Sequence, residues 1–386
     1  MKRIAMSDLH LGQDADDKSD SYSLLSNIPG NMEKEKAQAD AKMAKLRARV
    51  EKFADGDSVK LILCGDVLDL SLAYFAQAYL DLAYLLKNLP SVAWVAYVPG
   101  NHDHHIWSLH CEQKNIIRPL LDGGRPWGGG IYTPTVGIGE MSHFLTNGLT
   151  EEVGRNVMVD IAYPSYRLGI PNQSFYFTHG HLFGGLYNLF SRILSIFLEE
   201  ELDEGKVATM NVALIEFIYW LCGETGEGMG SNGIIEALYA DTKKGKDSLI
   251  RQILDKGVDE VLPDGIIKGI PDSWERAFVK WAANKGIKKT ISGKPHVVSS
   301  KARHEDPKRT QERVEGWLFN VLKADKENKN KLTFVFGHTH RSGLTKIGDN
   351  ISVYNLGSWL TEPGDEDPDT ELLMIDDYGN TTMERI

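Results

Sequence analysis

Cysteine is nearly absent from this chain. Cys64, Cys111 and Cys222 are the only three among 386 residues, and none forms a Cys-x-x-Cys spacing. That excludes a disulfide framework and points to a reducing compartment. Long apolar runs are missing as well: no stretch approaches the ~18 uncharged apolar residues that cross a bilayer. The start, Met1-Lys-Arg-Ile-Ala-Met-Ser-Asp8, has neither the apolar core nor the small-residue cleavage site of a secretion signal. A cytoplasmic protein is therefore expected. Positive charge is in deficit, with 43 basic against 54 acidic residues and a net charge of −11. Such a surface does not coat nucleic acid or an anionic membrane as a whole, although a local patch can. Internal repeats and low-complexity tails are also lacking.

What is present begins as alternating strands and helices. Arg3 to Ser7, Val59 to Cys64 and Val92 to Val98 read as strands, each ending in polar residues. Between them, Glu33 to Phe53 and Leu70 to Leu89 carry apolar residues at helical spacing. This βαβαβ order predicts parallel strands with crossover helices, and open α/β sheets place their sites beyond the strand ends. After Asp103 the pattern reads as strands and loops: Gly130 to Gly137, Asn156 to Tyr163 and Ser174 to Thr178. Residues 183–330 differ in kind. Two apolar stretches, Leu186 to Leu198 and Val207 to Cys222, precede a glycine-rich turn and polar helices. Strands resume at Leu332 to Phe336, Ile351 to Leu356, Glu371 to Ile375 and Thr381 to Arg385. The expected organisation is a catalytic domain of residues 1–182 and 331–386, interrupted by a helical insertion or cap at 183–330.

The strand ends carry five polar motifs: Asp8-Leu-His10, Gly65-Asp66-Val-Leu-Asp69, Gly100-Asn101-His102-Asp103, His179-Gly-His181 and Gly337-His338-Thr-His340. If the strands continue, Asp8 and His10 point to one side, as do His338 and His340. Carboxylates, imidazoles and one amide suit a borderline divalent ion such as Mn, Fe, Zn or Ni. Two such ions need a shared carboxylate, and Asp66, in the middle of the motif order, is the natural bridge. Each motif alone occurs by chance, and a lone histidine is more often structural. The series takes up His10, His102, His179, His338 and His340, five of the chain's 12 histidines, with His181 adjoining, and that coincidence outweighs the structural reading.

These motifs, as a series, resemble the calcineurin-like metallophosphoesterase family. The resemblance implies an α/β (α+β) fold, a four-layer αββα sandwich of two mixed sheets, with two metal ions at the strand ends. It implies that Asp8, His10, Asp66 and His340 hold one ion, and Asp66, Asn101, His179 and His338 the other. His102 is then the general acid, Asp103 tunes its charge, and Asp69 orients its neighbours. The implied activity is hydrolysis of a phosphomonoester, phosphodiester or pyrophosphate bond by a metal-bridging hydroxide, with manganese the first expectation.

Protein phosphatases of this superfamily carry Arg-Gly after the second motif and Glu after Asn-His; here Leu70-Ser71 and Asp103 stand there, which points to the broader bacterial-type branch. The apolar stretches of the insertion read as a shared core or as a cap for lipid. His-Thr-His-Arg at 338–341 also resembles the UDP-diacylglucosamine pyrophosphatases. A basic run from Lys268 to Arg313 is a solvated face or an attractor of polyanions, nucleic acid included. A nuclease of the Mre-type branch and a non-catalytic scaffold are the competing readings; the acidic balance counts against the first and the complete ligand set against the second. A phosphorylated small molecule or lipid is the expected substrate.

Overall fold

A computed structural model describes residues 1–13, 21–28, 32–71, 73–184, 201–219, 307–325, 330–361 and 368–386, with residues 187, 188, 191 and 195. The chain divides into two compact units, Met1–His181 with Ala324–Ile386, and Leu182–Lys323. The glycine-rich turn and most of the 186–198 stretch and of the basic run lie outside the described residues. No helix among the described residues is long and apolar enough to cross a membrane.

The first unit holds two mixed sheets. Seven strands form one: β1 (Arg3–Met6), β2 (Val59–Cys64), β3 (Val92–Val98), β4 (Glu140–Met141), β5 (Met158–Ile161), β11 (Glu371–Ile375) and β12 (Thr381–Arg385). Their spatial order is β12-β11-β1-β2-β3-β5-β4. Strands β1, β2, β3 and β5 run parallel, as the crossover helices α1 (Glu33–Ala54) and α2 (Phe75–Asn88) require. The second sheet has the order β6-β7-β8-β10-β9, from β6 (Ser165–Ile170), β7 (Gln173–Thr178), β8 (Lys331–Phe336), β9 (Ser342–Ile347) and β10 (Ile351–Leu356).

Strand alternation explains why the sheets stack. Ala5, Ile62, Cys64, Ala96, Leu373 and Ile375 of the first sheet pack against Phe175, Phe177, Val335, Tyr354 and Leu356 of the second. The intervening residues of the first sheet, such as Ile4, Met6, Leu61, Leu63 and Val95, are buried too. Both faces of its parallel strands are thus covered, as such sheets demand.

Three expectations are corrected. Residues after Asp103 form helix α3 (His104–Glu112), which continues through a wider π turn into α4 (Arg118–Leu121). Its buried face includes His104, Ser108 and His110, so polar residues at core positions hid the helical period. Helix α5 (His143–Val153) was hidden by Gly148, where a Cβ would overlap the Tyr79 hydroxyl of α2. Residues 130–137 form no strand beyond one bridge from Gly137 to Tyr166. Pro134 and three consecutive glycines offer little to a ladder.

The inter-sheet core yields a stability test. Ile62 is fully buried between the sheets, so Ile62→Ala should cost about 2–5 kcal/mol in urea denaturation. A loss under about 0.5 kcal/mol would contradict the packing described.

Candidate metal centre

The motif side chains gather at the C-terminal ends of β1, β2, β3, β7 and β8, where the two sheets end side by side. Beyond β1 and β2 the chains stay paired: Asp8 N–H donates to Gly65 O at 3.0 Å, and His10 N–H to Asp66 O at 2.9 Å. Gly337 N–H donates to His179 O at 3.0 Å, tying β8 to β7 past their ends. The strand-alternation argument does not operate here, because the residues are no longer extended. Asp8, His10, Asp66, His338 and His340 all adopt left-handed backbone, with φ of 53°, 48°, 46°, 69° and 56°. They are five of the eight non-glycine residues with positive φ among the described residues. That conformation is sparsely populated for such side chains and is held by the surrounding structure.

Close approach demands the glycines. Gly65 has φ of +85°, and a Cβ there would overlap His179; at Gly337 it would overlap Ser7 and Asp8.

Three sets of donor atoms result, one of them, His10 with Asp69 and His102, lying beside the two that face each other. Asp8, His10 and His340 form one, and Asp66, His179 and His338 the other. In the first, His10 Nε2 lies 3.2 Å from His340 Nε2, which is 3.3 Å from Asp8 Oδ1. In the second, His338 Nδ1 lies 3.1 Å from His179 Nε2, which is 3.1 Å from Asp66 Oδ2. Ring nitrogens aimed at one another need a proton or a cation between them. The remaining edges are tied back: His10 Nδ1 meets Asp69 Oδ2 at 2.8 Å, and His179 Nδ1 meets Cys64 O at 3.2 Å. Asp8 Oδ2 receives Ser7 Oγ–H at 2.6 Å and His338 N–H at 2.8 Å. Its Oδ1 is buried without a hydrogen bond, as is Asn101 Oδ1. Both orphaned oxygens suit a bound cation.

Charge supports the same reading. Burial alone would raise the Asp8 carboxyl, but His340 and His179 hold it down at about 2. His179 and His102 overcome the same penalty at Asp66 and keep it well below the carboxylate range. Burial lowers His338 to about 3, with His179 adding to the effect. Burial opposes a charge on His179 too, yet Asp66 and Asp8 raise it to about 9. The buried carboxylates thus draw a positive charge into the centre, which a divalent ion would supply while displacing that proton.

Beside these sets, Asp69 links two histidines. It binds His10 through Oδ2, and its Oδ1 lies 2.9 Å from His102 Nδ1. Ser71 Oγ is 2.7 Å from the same Nδ1 and 3.0 Å from Asp69 Oδ1. With Nδ1 held there, the opposite edge of the ring faces the centre, where Nε2 is 4.0 Å from Asp66 Oδ2. Asp103, to which the resemblance gave the tuning of His102, has its contacts with the backbone of the neighbouring loops and with Tyr97. Asp103 accepts hydrogen bonds from Gly100 N–H at 2.6 Å, Tyr97 O–H at 2.6 Å and Val67 N–H at 2.8 Å. Its carboxyl is raised to about 6 by burial and by Asp66, and its work is to hold the Gly100 and Asp66 loops. Ser71 was not singled out for this role, since one serine two residues after Asp69 carries no sequence signal. His181 stands behind the second set, its ring 5.4 Å from that of His179 and its Nε2 3.3 Å from the Tyr163 hydroxyl. His104 packs edge-on to Tyr163 at 4.8 Å. Both are buried structural neighbours of the centre.

The family model of the calcineurin-like phosphoesterases matches residues 1–206, more than half of the chain. The chain belongs to that family and is a metal-dependent phosphoric ester hydrolase. The match ends before His338 and His340, which the fold brings to the same centre. No curated protein matches the sequence.

Asp69 and Ser71 should separate on substitution. Asp69→Ala releases both His10 and His102, so metal affinity and turnover should each fall about 10–100-fold. Ser71→Ala touches His102 alone; turnover should fall about fivefold with metal affinity, measured by isothermal titration, unchanged. Equal effects of the two variants on affinity would contradict this division.

Proposed function

We propose that this member of the calcineurin-like phosphoesterase family holds two divalent ions and hydrolyses a phosphomonoester, phosphodiester or pyrophosphate bond. Asp8, His10 and His340 would hold one ion, Asn101, His179 and His338 the other, with Asp66 shared. The observation that carries this reading is the pair of facing imidazole sets, each completed by a buried carboxylate. Asp66 is apt as the shared ligand because its Oδ1 is fixed by His102 N–H at 2.8 Å, leaving Oδ2 towards His179. A donor set of imidazoles, carboxylates and an amide accepts Mn, which we favour, and also Fe, Zn or Ni. Bound there, the ions would supply Lewis-acid charge to phosphate oxygens and make water a nucleophile near neutral pH.

The chain's own residues account for the rest of the chemistry. His102 is held through Nδ1 by Asp69 and Ser71, and its Nε2, 4.0 Å from Asp66 Oδ2, is the nitrogen that would give a proton to the departing oxygen. Asp103, bound to Gly100 N–H and Val67 N–H, serves the reaction by fixing the loop that carries Asn101 and His102. Leu70-Ser71 and Asp103 stand where protein phosphatases have Arg-Gly and Glu, which favours the bacterial-type branch. A net charge of −11 favours a small phosphorylated molecule or a lipid headgroup over a polynucleotide. Residues 183–330 are proposed as the insertion that selects that substrate, and the cytoplasm as the compartment.

Purified protein stripped by a chelator should lose hydrolysis of bis-p-nitrophenyl phosphate and p-nitrophenyl phosphate, and Mn should restore it. The ratio of the two rates separates diesterase from monoesterase. His102→Ala should lower turnover about 10²–10⁴-fold on an alkyl phosphate, a poor leaving group, and much less on the nitrophenyl esters. Full activity after exhaustive chelation would sink the metal reading, and an alkyl phosphate rate unchanged in His102→Ala would sink the acid role.

A further inference from the structure

We propose, resting on the two-ion reading above, that Thr339 and Asn355 are a positioning pair that places ligands of both ions at once. Thr339 stands between His338 and His340, which belong to different donor sets. His338 Nδ1 lies 3.1 Å from His179 Nε2, and His340 Nε2 lies 3.3 Å from Asp8 Oδ1. Whatever holds residue 339 therefore acts on both sets.

The hold comes from the second sheet. Asn355 lies on β10, paired with Phe336 at the end of β8. Its neighbours Tyr354 and Leu356 pack into the core between the sheets, so strand alternation puts Asn355 on the outer face. From there Asn355 Nδ2–H donates to Thr339 Oγ1 at 2.5 Å, and Arg341 N–H reaches the same oxygen at 3.4 Å. Thr339 N–H closes a tight turn onto Gly337 O at 2.8 Å. The threonine side chain is thus drawn to the outer face, while the histidines on either side turn towards His179 and Asp8. Both histidines have left-handed backbone, with φ of 69° and 56°, a conformation that persists only where its surroundings hold it.

Two other contacts fasten this loop: Gly337 N–H to His179 O, and His338 N–H to Asp8 Oδ2. Both precede Thr339. The Asn355 bond is the anchor set between the two histidines. Asn355 is an expensive residue to keep there, because its Oδ1 is buried without a hydrogen bond. An apolar side chain on the same strand would avoid that penalty. What the amide supplies in return is its Nδ2–H to the loop. Thr339 is equally specific, since a valine of the same shape has no oxygen to accept the two N–H groups. Loosening residue 339 would displace His338 and His340 together, so both ions and turnover would suffer together.

Full-length protein, stripped by a chelator, should be titrated with Mn by isothermal calorimetry; the wild type is expected to bind two ions. Thr339→Val, which removes the acceptor, and Asn355→Ala, which removes the donor, should each weaken both ions about tenfold or more. Hydrolysis of bis-p-nitrophenyl phosphate should fall with them. Thr339→Ser keeps the hydroxyl and should bind both ions as the wild type does. Melting of the metal-free proteins, followed by circular dichroism, separates placement from folding. A lower melting temperature in Thr339→Val and Asn355→Ala with both affinities unchanged leaves the pair a folding role only and overturns the proposal. Weakening of one ion alone, or the same loss in Thr339→Ser, overturns it too. A wild type that binds fewer than two ions overturns the two-ion reading itself, and the pair with it.

Discussion

Two fully or almost fully buried carboxylates, Asp8 and Asp66, govern the architecture. Taking an ionised carboxylate out of water is costly unless positive charge and hydrogen bonds compensate it. Compensation here comes from strand ends of both sheets. His10 follows β1, His179 follows β7, and His338 and His340 follow β8. The centre therefore depends on the sheets being stacked in one register, and the inter-sheet core of Ala5, Ile62, Phe177 and Val335 is what holds that register. In return, the carboxylates organise backbone. Asp8 accepts His338 N–H and Asp66 accepts His102 N–H, so the anions fix the loops that carry the imidazoles.

The left-handed residues follow from the same constraint. Three donor atoms linked by contacts of 3.1 to 3.3 Å do not come from straight strands, whose neighbouring chains lie about 4.8 Å apart. Curling the chain just past each strand end turns the side chains inward. It also brings loops so close that Gly65 and Gly337 have no room for a Cβ. Non-glycine residues at positive φ carry a conformational cost of order 1–3 kcal/mol each when strained. The observation of five such residues, all metal-motif side chains, is a structural sign of function that requires no comparison with another protein.

Sequence reading succeeded where residue type alone determines the answer. Strands β2, β3 and β11 are largely apolar runs, and their bounds, like those of β10 and β12, are as read. The motif residues gathered because only a few residue types serve such chemistry. Reading failed where the core is polar. His104, Ser108 and His110 face inward from α3, so an apolar periodicity search passes over the helix. It failed again where one contact rewrites a rule: Gly148 reads as a breaker, yet it lets α5 approach Tyr79. The reason for convergence also differs from the one that alternation supplies, since left-handed backbone has no signature in Asp-x-His. Asp69 and Asp103 look equivalent in sequence, and only their hydrogen bonds separate the residue that holds His102 from the one that holds a loop.

That separation bears on how the centre and its acid are coupled. Asp69 offers one oxygen to His10 and the other to His102, so a single buried carboxylate sets the tautomer of a proposed ligand and of the proposed proton donor together. Orientation of the proposed donor is then referenced to the same group that orients His10, a proposed ligand, rather than to an independent loop. Ser71 adds a second contact on the His102 side only, which leaves the ligand side untouched. A phosphate bound at the centre and the imidazole that protonates its leaving oxygen would thus share one rigid support. This is the geometric precision that a preorganised phosphoesterase site requires. It also accounts for two aspartates three residues apart in the second motif: Asp66 faces His179 and the proposed metal site, and Asp69 stands behind His10 and His102.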